Sequence, residues 1–207
     1  MTFLIKKTES IKYAVHKALT RYDPEIISTR KRKCKKAKYY LYIGAGYDTE
    51  TTTIKHAETI DGIEYERADY AFIYHYQFKI NGVYICGRRA EDIGVIFSEL
   101  IAQMRKLHRG ARLIIWIANL SYEFSFIKKQ LAEIGISAIF AKTPRNPLFI
   151  ELGGVIELRE CLGLFGSSLA RVARDYTTTQ KAVGDLDYTK IRTPETRLSR
   201  LEKYYCK

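Results

Sequence analysis

The chain contains 207 residues, of which 46% are hydrophobic and 28% are charged. This composition is typical of a folded domain and excludes disorder as the main state of the chain. No stretch approaches the run of about 18 apolar residues that a membrane-spanning helix needs, and Lys6 and Lys7 interrupt the N-terminus too early for a signal peptide. The four cysteines form no Cys-x-x-Cys pair, so we expect neither structural zinc nor disulfides and predict a reducing, cytoplasmic location.

Positive charge is concentrated near the N-terminus. The chain has 35 Lys and Arg against 23 Asp and Glu, a formal net charge of +12, and residues 1–40 hold 12 basic and 3 acidic residues, or +9. The basic run at residues 30–36 indicates either a solvated linker or an arm that contacts phosphates. This asymmetry points to a polyanionic partner, with nucleic acid as the leading candidate. The sequence therefore predicts a basic N-terminal extension over residues 1–37 and a second domain over residues 38–207.

The first predicted elements are a helix and three strands. Residues 11–19 favour a short helix, which Asp23-Pro24 ends. Aromatic and β-branched residues predict strands at residues 39–47, 70–80 and 83–87. Asn81-Gly82 lies between the last two strands and is a strong signal for a two-residue hairpin turn.

Helices and strands then alternate. An apolar stripe with helical spacing predicts a helix at residues 91–108, and the apolar run at 113–117 predicts a buried strand with Trp116 in the core. The remaining predicted elements are a helix at 122–134, short strands at 137–141, 148–152 and 155–158, a helix at 168–176 and the start of a helix at 198–207. Antiparallel strands followed by this alternation predict an α/β fold, a mixed sheet with helices on both faces as in RNase-H-like domains.

The first candidate site is Asp48-Thr49-Glu50, directly after a strongly apolar strand. On extended backbone, the side chains of Asp48 and Glu50 project to the same side. Two neighbouring carboxylates repel each other unless a cation binds between them. Mg²⁺ and Mn²⁺ prefer oxygen ligands and would suit this pair. The threonines at residues 51–53 add hydroxyl groups beside the pair. The alternative interpretation is an acidic loop exposed to water.

The second candidate site is the segment from Asn119 to Glu123, where the strand predicted at 113–117 gives way to a helix. The carboxyl ends of central strands are where open α/β sheets bind their ligands. A site at this position would have Glu123 facing Asp48 and Glu50. The alternative is a structural role for both residues: Asn119 would cap the helix, and Glu123 would be a first-turn residue favoured by the helix dipole.

Three motifs in this order resemble the exonuclease motifs of family B DNA polymerases. The motifs are Asp48-x-Glu50 with its threonines, Asn119-x-x-Tyr122-Glu123-x-x-Phe126, and the segment Gly184-Asp185-Leu186-Asp187-Tyr188 followed by Tyr205. The chain is most similar to the N-terminal 3′→5′ exonuclease domain of the protein-primed polymerases of phages and linear plasmids. The resemblance covers residues 39–207.

The resemblance implies an RNase-H-like domain of the DnaQ exonuclease type that proofreads during DNA replication. Such domains hydrolyse the 3′ end of single-stranded DNA with two divalent metal ions, Mg²⁺ or Mn²⁺, held by four carboxylates. It assigns metal binding to Asp48, Glu50 and Glu123, and orientation of the attacking water to Tyr205. The residues that it assigns to contacts with the single strand are Thr51, Asn119, Phe126, Ser168 and Leu169. The implied partners are primer-template DNA and a terminal protein primer.

The chain departs from the family pattern at three points. Glu123 stands where aspartate is usual, which lengthens the side chain by one methylene. Val183 stands where close relatives often carry a phosphate-stabilising lysine, and Lys181 is the nearest replacement. The fourth carboxylate is expected at position 209, beyond Lys207. The sequence therefore predicts a domain truncated at its C-terminal end, with weak or no activity as a fragment.

Two further functions remain open from the sequence. One is a non-catalytic nucleic-acid-binding module of the same fold, in which the basic arm supplies the affinity and binding ignores Mg²⁺. The other is an RNase-H-like nuclease that acts on RNA, because the residues alone do not distinguish DNA from RNA. Cleavage assays on both nucleic acids would separate these alternatives from the exonuclease.

Overall fold

A mixed β-sheet organises the chain. The computed structural model describes residues 1–21, 26–29, 38–107, 110–178 and 186–205, without the side chains of residues 26–29, 38, 201, 204 and 205. The strands are β1 (Thr2–Leu4), β2 (Ile26–Thr29), β3 (Lys38–Leu41), β4 (Ala45–Ile60), β5 (Ile63–Ile80), β6 (Val83–Gly87), β7 (Ala111–Ile117), β8 (Ile136–Thr143), β9 (Asn146–Leu152) and β10 (Ile156–Glu160). The helices are α1 (Glu9–Thr20), α2 (Glu91–Leu107), α3 (Leu120–Ile134), α4 (Leu162–Phe165), α5 (Leu169–Tyr176) and α6 (Arg200–Tyr205).

The sheet combines antiparallel and parallel pairings. The strand order is β1-β6-β5-β4-β7-β10-β9-β8, and β3 pairs with β2 and β7. The strands β4, β5 and β6 form an antiparallel meander, whereas β7 runs parallel to β4 and β10. This mixed α/β architecture is compatible with the predicted RNase-H-like fold. In the part of the chain that the structure describes, none of the helices has the length and hydrophobicity of a membrane span.

The two faces of β4 have different environments. Tyr47 and Thr49 lie on the face that packs against the helices, which we call the core face, and the ring of Tyr47 contacts Phe97 of α2. Asp48 and Glu50 alternate with them and so lie on the opposite face, which we call the front face. The apolar stripes of α1, α2 and α3 are buried with the core face in one cluster.

The Asn81-Gly82 hairpin is confirmed. Both residues have positive φ, 51° and 72°, as a type I′ turn requires, and they join the antiparallel strands β5 and β6. A second turn of this kind, at Asp61-Gly62, has φ values of 53° and 79° and joins β4 to β5. The two strands therefore extend well beyond the strands predicted at 39–47 and 70–80. The outer part of this hairpin, residues 55–69, is mostly exposed to solvent.

The strand predicted at residues 39–47 is two strands in the structure. β3 ends at Leu41 and β4 begins at Ala45, and residues 42–44 have no regular structure between them. Asp48 and Glu50 therefore lie inside a long strand rather than in a loop that follows a short one. The alternative of an acidic loop is wrong for this pair, because both residues belong to the β4–β5 ladder.

The N-terminal residues join the same sheet and core as the rest of the chain. β1 pairs in parallel with β6, and the buried face of α1 includes Ile11, Val15 and Leu19. The structure therefore differs from the predicted division after residue 37, because the apolar stripe of α1 packs on the sheet instead of on a core of its own. The basic run at residues 30–36 lies outside the described residues.

Candidate active site

The front face of β4 carries two of the three predicted metal-binding carboxylates. Asp48 is exposed and accepts a hydrogen bond of 3.2 Å from Nε2 of Gln77, its partner on β5. Glu50 is half-buried and pairs in register with His75, which is buried. Because residues 48 and 50 lie two positions apart on one strand, their carboxylates share a face, as the sequence predicted.

Glu123 approaches β4 from the core face. It lies in the first turn of α3 and is only 3% exposed, and Oγ1 of Thr49 donates a 2.5 Å hydrogen bond to its Oε2. The pKa of Glu123 is raised to about 8, mainly by burial and to a lesser extent by the negative charges of Asp48 and Glu50, against the opposing effect of the Thr49 hydrogen bond. At neutral pH the carboxyl group of Glu123 is therefore mainly protonated.

The three carboxylates do not form a ready-made metal site in this arrangement. Asp48 and Glu50 offer oxygen donors on the front face, whereas Glu123 is protonated and bonded to Thr49 on the core face. In the part of the chain that the structure describes, no three His, Cys, Asp or Glu residues are grouped so that they could hold a metal ion. For Glu123 to join the other two as a ligand, it would have to lose its proton and turn away from Thr49.

Asn119 does not cap α3 with its side chain. It has left-handed backbone, with φ 61° and ψ 57°, and makes no side-chain capping bond. Glu160 takes the capping role instead, because its carboxylate accepts the backbone N–H groups of Asn119 at 3.3 Å and Leu120 at 2.6 Å. The side chain of Asn119 is exposed just beyond the carboxyl end of β7, the kind of position at which open α/β sheets bind ligands. The sequence did not predict that Glu160 caps α3, because the one indication was that an acidic residue lies close to the end of a predicted strand.

The predicted contact residues Phe126 and Thr51 are both engaged within the chain. Phe126 is half-buried, packs against the core and meets the ring of Tyr122 edge-on at 5.0 Å. The hydroxyl oxygen of Tyr122 lies 2.5 Å from Oγ1 of Thr51, which holds the helix against the strand. Tyr122 is the more exposed of the two rings, at 44%. Stacking by Phe126 stays a prediction from the resemblance.

Ser168 and Leu169 lie at the start of α5. The Ser168 side chain accepts a hydrogen bond from the backbone N–H of Arg171 and so caps the helix. Leu169 is largely exposed and lines a groove of about 370 Å³ together with Asp48 and Gln77. The structure therefore brings one predicted contact residue, Leu169, to the same groove as the predicted catalytic residue Asp48.

The third motif is described only in part. Lys181 and residues 182–185 lie outside the described residues, and of Tyr205 only its position in α6 is described. Asp187 accepts hydrogen bonds from the backbone and hydroxyl of Thr189, and these bonds lower its pKa. Asp187 thus closes a turn with Thr189.

Arg192 organises the C-terminal segment on the front face, and sequence reasoning missed it. Its guanidinium is buried and donates to Glu202 at 2.6 Å and to the carbonyl oxygen of Asp187 at 2.7 Å. Its backbone N–H donates to Oγ1 of Thr52 on β4, at 3.1 Å. Bonds from the Ser199 backbone and from Arg192 lower the pKa of Glu202 to about 2. Arg192 thereby ties Asp187 and Glu202 to β4 at Thr52, two residues beyond Glu50.

The fold is similar to part of a known polymerase. No family model and no curated protein matches the sequence. Among solved structures, the chain is similar to Phi29 DNA polymerase complexed with primer-template DNA, with a TM-score of 0.53 and 16% sequence identity. The similarity covers 79% of this chain and 28% of the polymerase chain, so the chain spans under a third of that protein. At this identity the similarity concerns the fold.

Proposed function

We infer that the chain is a 3′→5′ exonuclease domain of the family B, protein-primed DNA polymerase type, with an RNase-H-like fold. Its substrate is the 3′ end of single-stranded DNA. Three independent features support the proposal: the order of the sequence motifs, the position of their residues around one strand, and a fold similar to part of Phi29 DNA polymerase.

The convergence of the first two motifs on β4 carries the proposal. Asp48 and Glu50 share the front face of the strand, and Glu123 is close enough for their charges to raise its pKa. Residues 75 positions apart in the sequence therefore interact electrostatically, at the end of β7 where α/β sheets bind ligands. A protonated, buried carboxyl group beside two carboxylates is an arrangement typical of functional sites.

A second candidate, a non-catalytic nucleic-acid-binding module, is favoured by the bond between Thr49 and Glu123. The raised pKa keeps Glu123 neutral, and the bond from Thr49 holds its side chain on the face opposite to Asp48 and Glu50. A chain in this state keeps the groove beside Asp48 and the basic net charge of +12, both of which suit binding. The two candidates differ in whether a divalent metal ion has any effect.

The test is cleavage of a 5′-labelled single-stranded DNA, with Mg²⁺ and with Mn²⁺, by the chain extended to carry the fourth carboxylate expected at position 209. Loss of nucleotides one at a time from the 3′ end is the expected result, and Asp48→Asn should abolish it. The matched control is Asp61→Asn, the same change at the tip of the β4–β5 hairpin, which should leave cleavage unchanged. A parallel assay on RNA of the same sequence tests the choice of DNA.

Other outcomes decide against the exonuclease. Salt-sensitive binding of the oligonucleotide with no cleavage at any metal concentration would favour the binding module. Preferential cleavage of RNA would assign the chain to the RNA nucleases. Cleavage that survives Asp48→Asn would show that the carboxylates on the front face do not carry the reaction.

A further inference from the structure

Trp116 is exposed although it lies on a central strand. It belongs to β7, between β4 and β10, and is 37% exposed on the front face, not buried in the core as the sequence predicted. Its partner on β4 is Gly46, which has no side chain to cover the indole. Trp116 is also the single tryptophan of the chain. The sheet therefore presents a large flat aromatic surface to solvent close to Asp48.

The indole of Trp116 borders two neighbouring grooves. The first, of about 370 Å³, is the groove that contains Asp48 and Leu169. The second, of about 500 Å³, is lined by Trp116 together with Tyr40 and Tyr42. Trp116 lines both grooves. A bound linear polymer that has its end at Asp48 in the first groove and continues into the second groove must therefore pass the indole.

Lys79 supplies a positive charge on the other side of Gly46. It pairs with Gly46 on β5 and is exposed, and its ammonium lies 5.1 Å from the ring centroid of Tyr84 in the first groove. Since neighbouring strands lie about 4.8 Å apart, Trp116 and Lys79 flank the glycine at a separation of roughly 10 Å. Asp48 follows Gly46 by two residues, which is about 7 Å along β4.

The other cation near Trp116 is engaged. Arg159 pairs in register with Trp116 on β10, but its Nε donates to Oε2 of the buried Glu157 at 3.1 Å. Tyr40 and Arg112 bond to the same carboxylate. These bonds compensate the buried charge of Glu157 and hold Arg159 within the ion cluster. Among the described residues that line the groove beside Asp48, Lys79 is therefore the one cation.

We propose that Trp116 and Lys79 form a nucleotide subsite for a single strand whose end lies at Asp48. One base stacks on the indole, and the phosphate beside it pairs with the ammonium of Lys79. Every base has a flat face that can stack on the indole, so the subsite does not distinguish between base sequences. It requires single-stranded nucleic acid, because in a duplex the faces of each base are covered by the adjacent stacked bases. This inference rests on the proposed binding of single-stranded nucleic acid at the front face.

The test uses the fluorescence of Trp116, which as the single tryptophan reports on this position alone. The chain is titrated with a labelled single-stranded oligonucleotide, and anisotropy of the label is recorded together with tryptophan emission. We expect quenching that saturates at the same concentration as the anisotropy. An oligonucleotide whose 3′-proximal positions lack bases should bind without this quenching, because it keeps the phosphates but has nothing to stack.

Variants separate the two parts of the subsite. Trp116→Leu should weaken binding by about tenfold, the typical loss for one stacked base, whereas Trp116→Phe should weaken it less. Lys79→Gln should weaken binding and reduce its salt dependence, and Lys79→Arg should restore both. The control Tyr65→Leu removes an exposed ring from the β4–β5 hairpin and should have no effect. Thermal unfolding of each variant shows whether it is folded.

The outcomes distinguish this inference from the function on which it rests. Binding without quenching, or binding that Trp116→Leu leaves unchanged, overturns the subsite and leaves the proposed function standing. Equal quenching by the oligonucleotide without bases also overturns it, because stacking would not be the cause. If the wild-type chain binds no oligonucleotide, the proposed function and the subsite both fail.

Discussion

The hydroxyl group of Thr49 lies 2.5 Å from Oε2 of Glu123 and joins the first turn of α3 to the core face of β4. This bond lies directly behind Asp48 and Glu50, which project from the other face of the strand. The position of α3 and the protonation of Glu123 are thus linked to the strand that carries the front-face carboxylates. The first two predictions follow from this relationship.

Glu123 makes the folded state less stable as pH rises. Its pKa is about 8 in the folded chain and 4.5 ordinarily, so between these values the folded state holds a proton that the unfolded state has released. The free energy of unfolding should therefore fall over this range, by about 1.4 kcal/mol for each pKa unit, or a few kcal/mol in all.

Glu123→Gln checks this pH dependence, because glutamine is neutral throughout and still accepts a bond from Thr49. Denaturant unfolding at a series of pH values should show equal stability near pH 4.5 and a more stable variant at pH 8. Parallel curves for variant and wild type would contradict the raised pKa.

Thr49→Val should raise the pKa of Glu123 further and destabilise the chain. The change keeps the shape of the side chain but removes the donor, whose loss costs about 1 kcal/mol. The matched control is Thr53→Val, at an exposed position on the same strand, which should change stability little. Unfolding at pH 8 measures both variants. Equal stability for both would mean that the Thr49 bond contributes nothing.

Arg192→Met should release the C-terminal segment from the front face. Methionine keeps the aliphatic stem but removes the guanidinium that donates to Glu202 and to the carbonyl oxygen of Asp187, a loss of roughly 3 kcal/mol for a largely buried ion pair. Hydrogen exchange over residues 186–205 should accelerate while the core sheet stays protected. Arg197→Met, an exposed change in the same segment, should leave exchange unaffected. Uniform acceleration across the whole chain would contradict a local role.

Removing the outer part of the β4–β5 hairpin should leave the fold intact. Ile54 pairs with Tyr70, so replacing residues 55–69 by Asn-Gly joins these two residues through a type I′ turn. The removed residues are mostly exposed, and the melting temperature should therefore change by only a few degrees. A large loss of stability would show that the hairpin supports the sheet.

Local signals in the sequence predicted the elements but not their lengths. Asn81-Gly82 gave the correct turn because the strands on both sides have clear apolar alternation. Asp61-Gly62 carries the same turn signal, but the strands beside it are exposed on both faces and show no alternation that would reveal them. The outer part of this hairpin is held by backbone hydrogen bonds, so its strands cannot be recognised from the pattern of apolar residues.

The site was predictable where it depended on spacing along one strand. The shared face of Asp48 and Glu50 follows from the two-residue period of a strand. The partners of Glu123 and Asn119 were not predictable, because each is a contact between elements far apart in the sequence. The exposure of Trp116 was missed for the same reason: it depends on the glycine that the fold places beside it.

β4 runs from Ala45 to Ile60, with register shifts after Glu50 and after Ile54, so the carboxylates and the tip of the hairpin lie on one strand. Twelve residues separate Asp48 from Ile60, which is roughly 40 Å at 3.3 Å per residue. A probe attached at the tip would move with the strand that bears Asp48 while staying far outside the groove. The tip of the hairpin is thus a labelling position that lies outside the groove and is joined to Asp48 by a single strand.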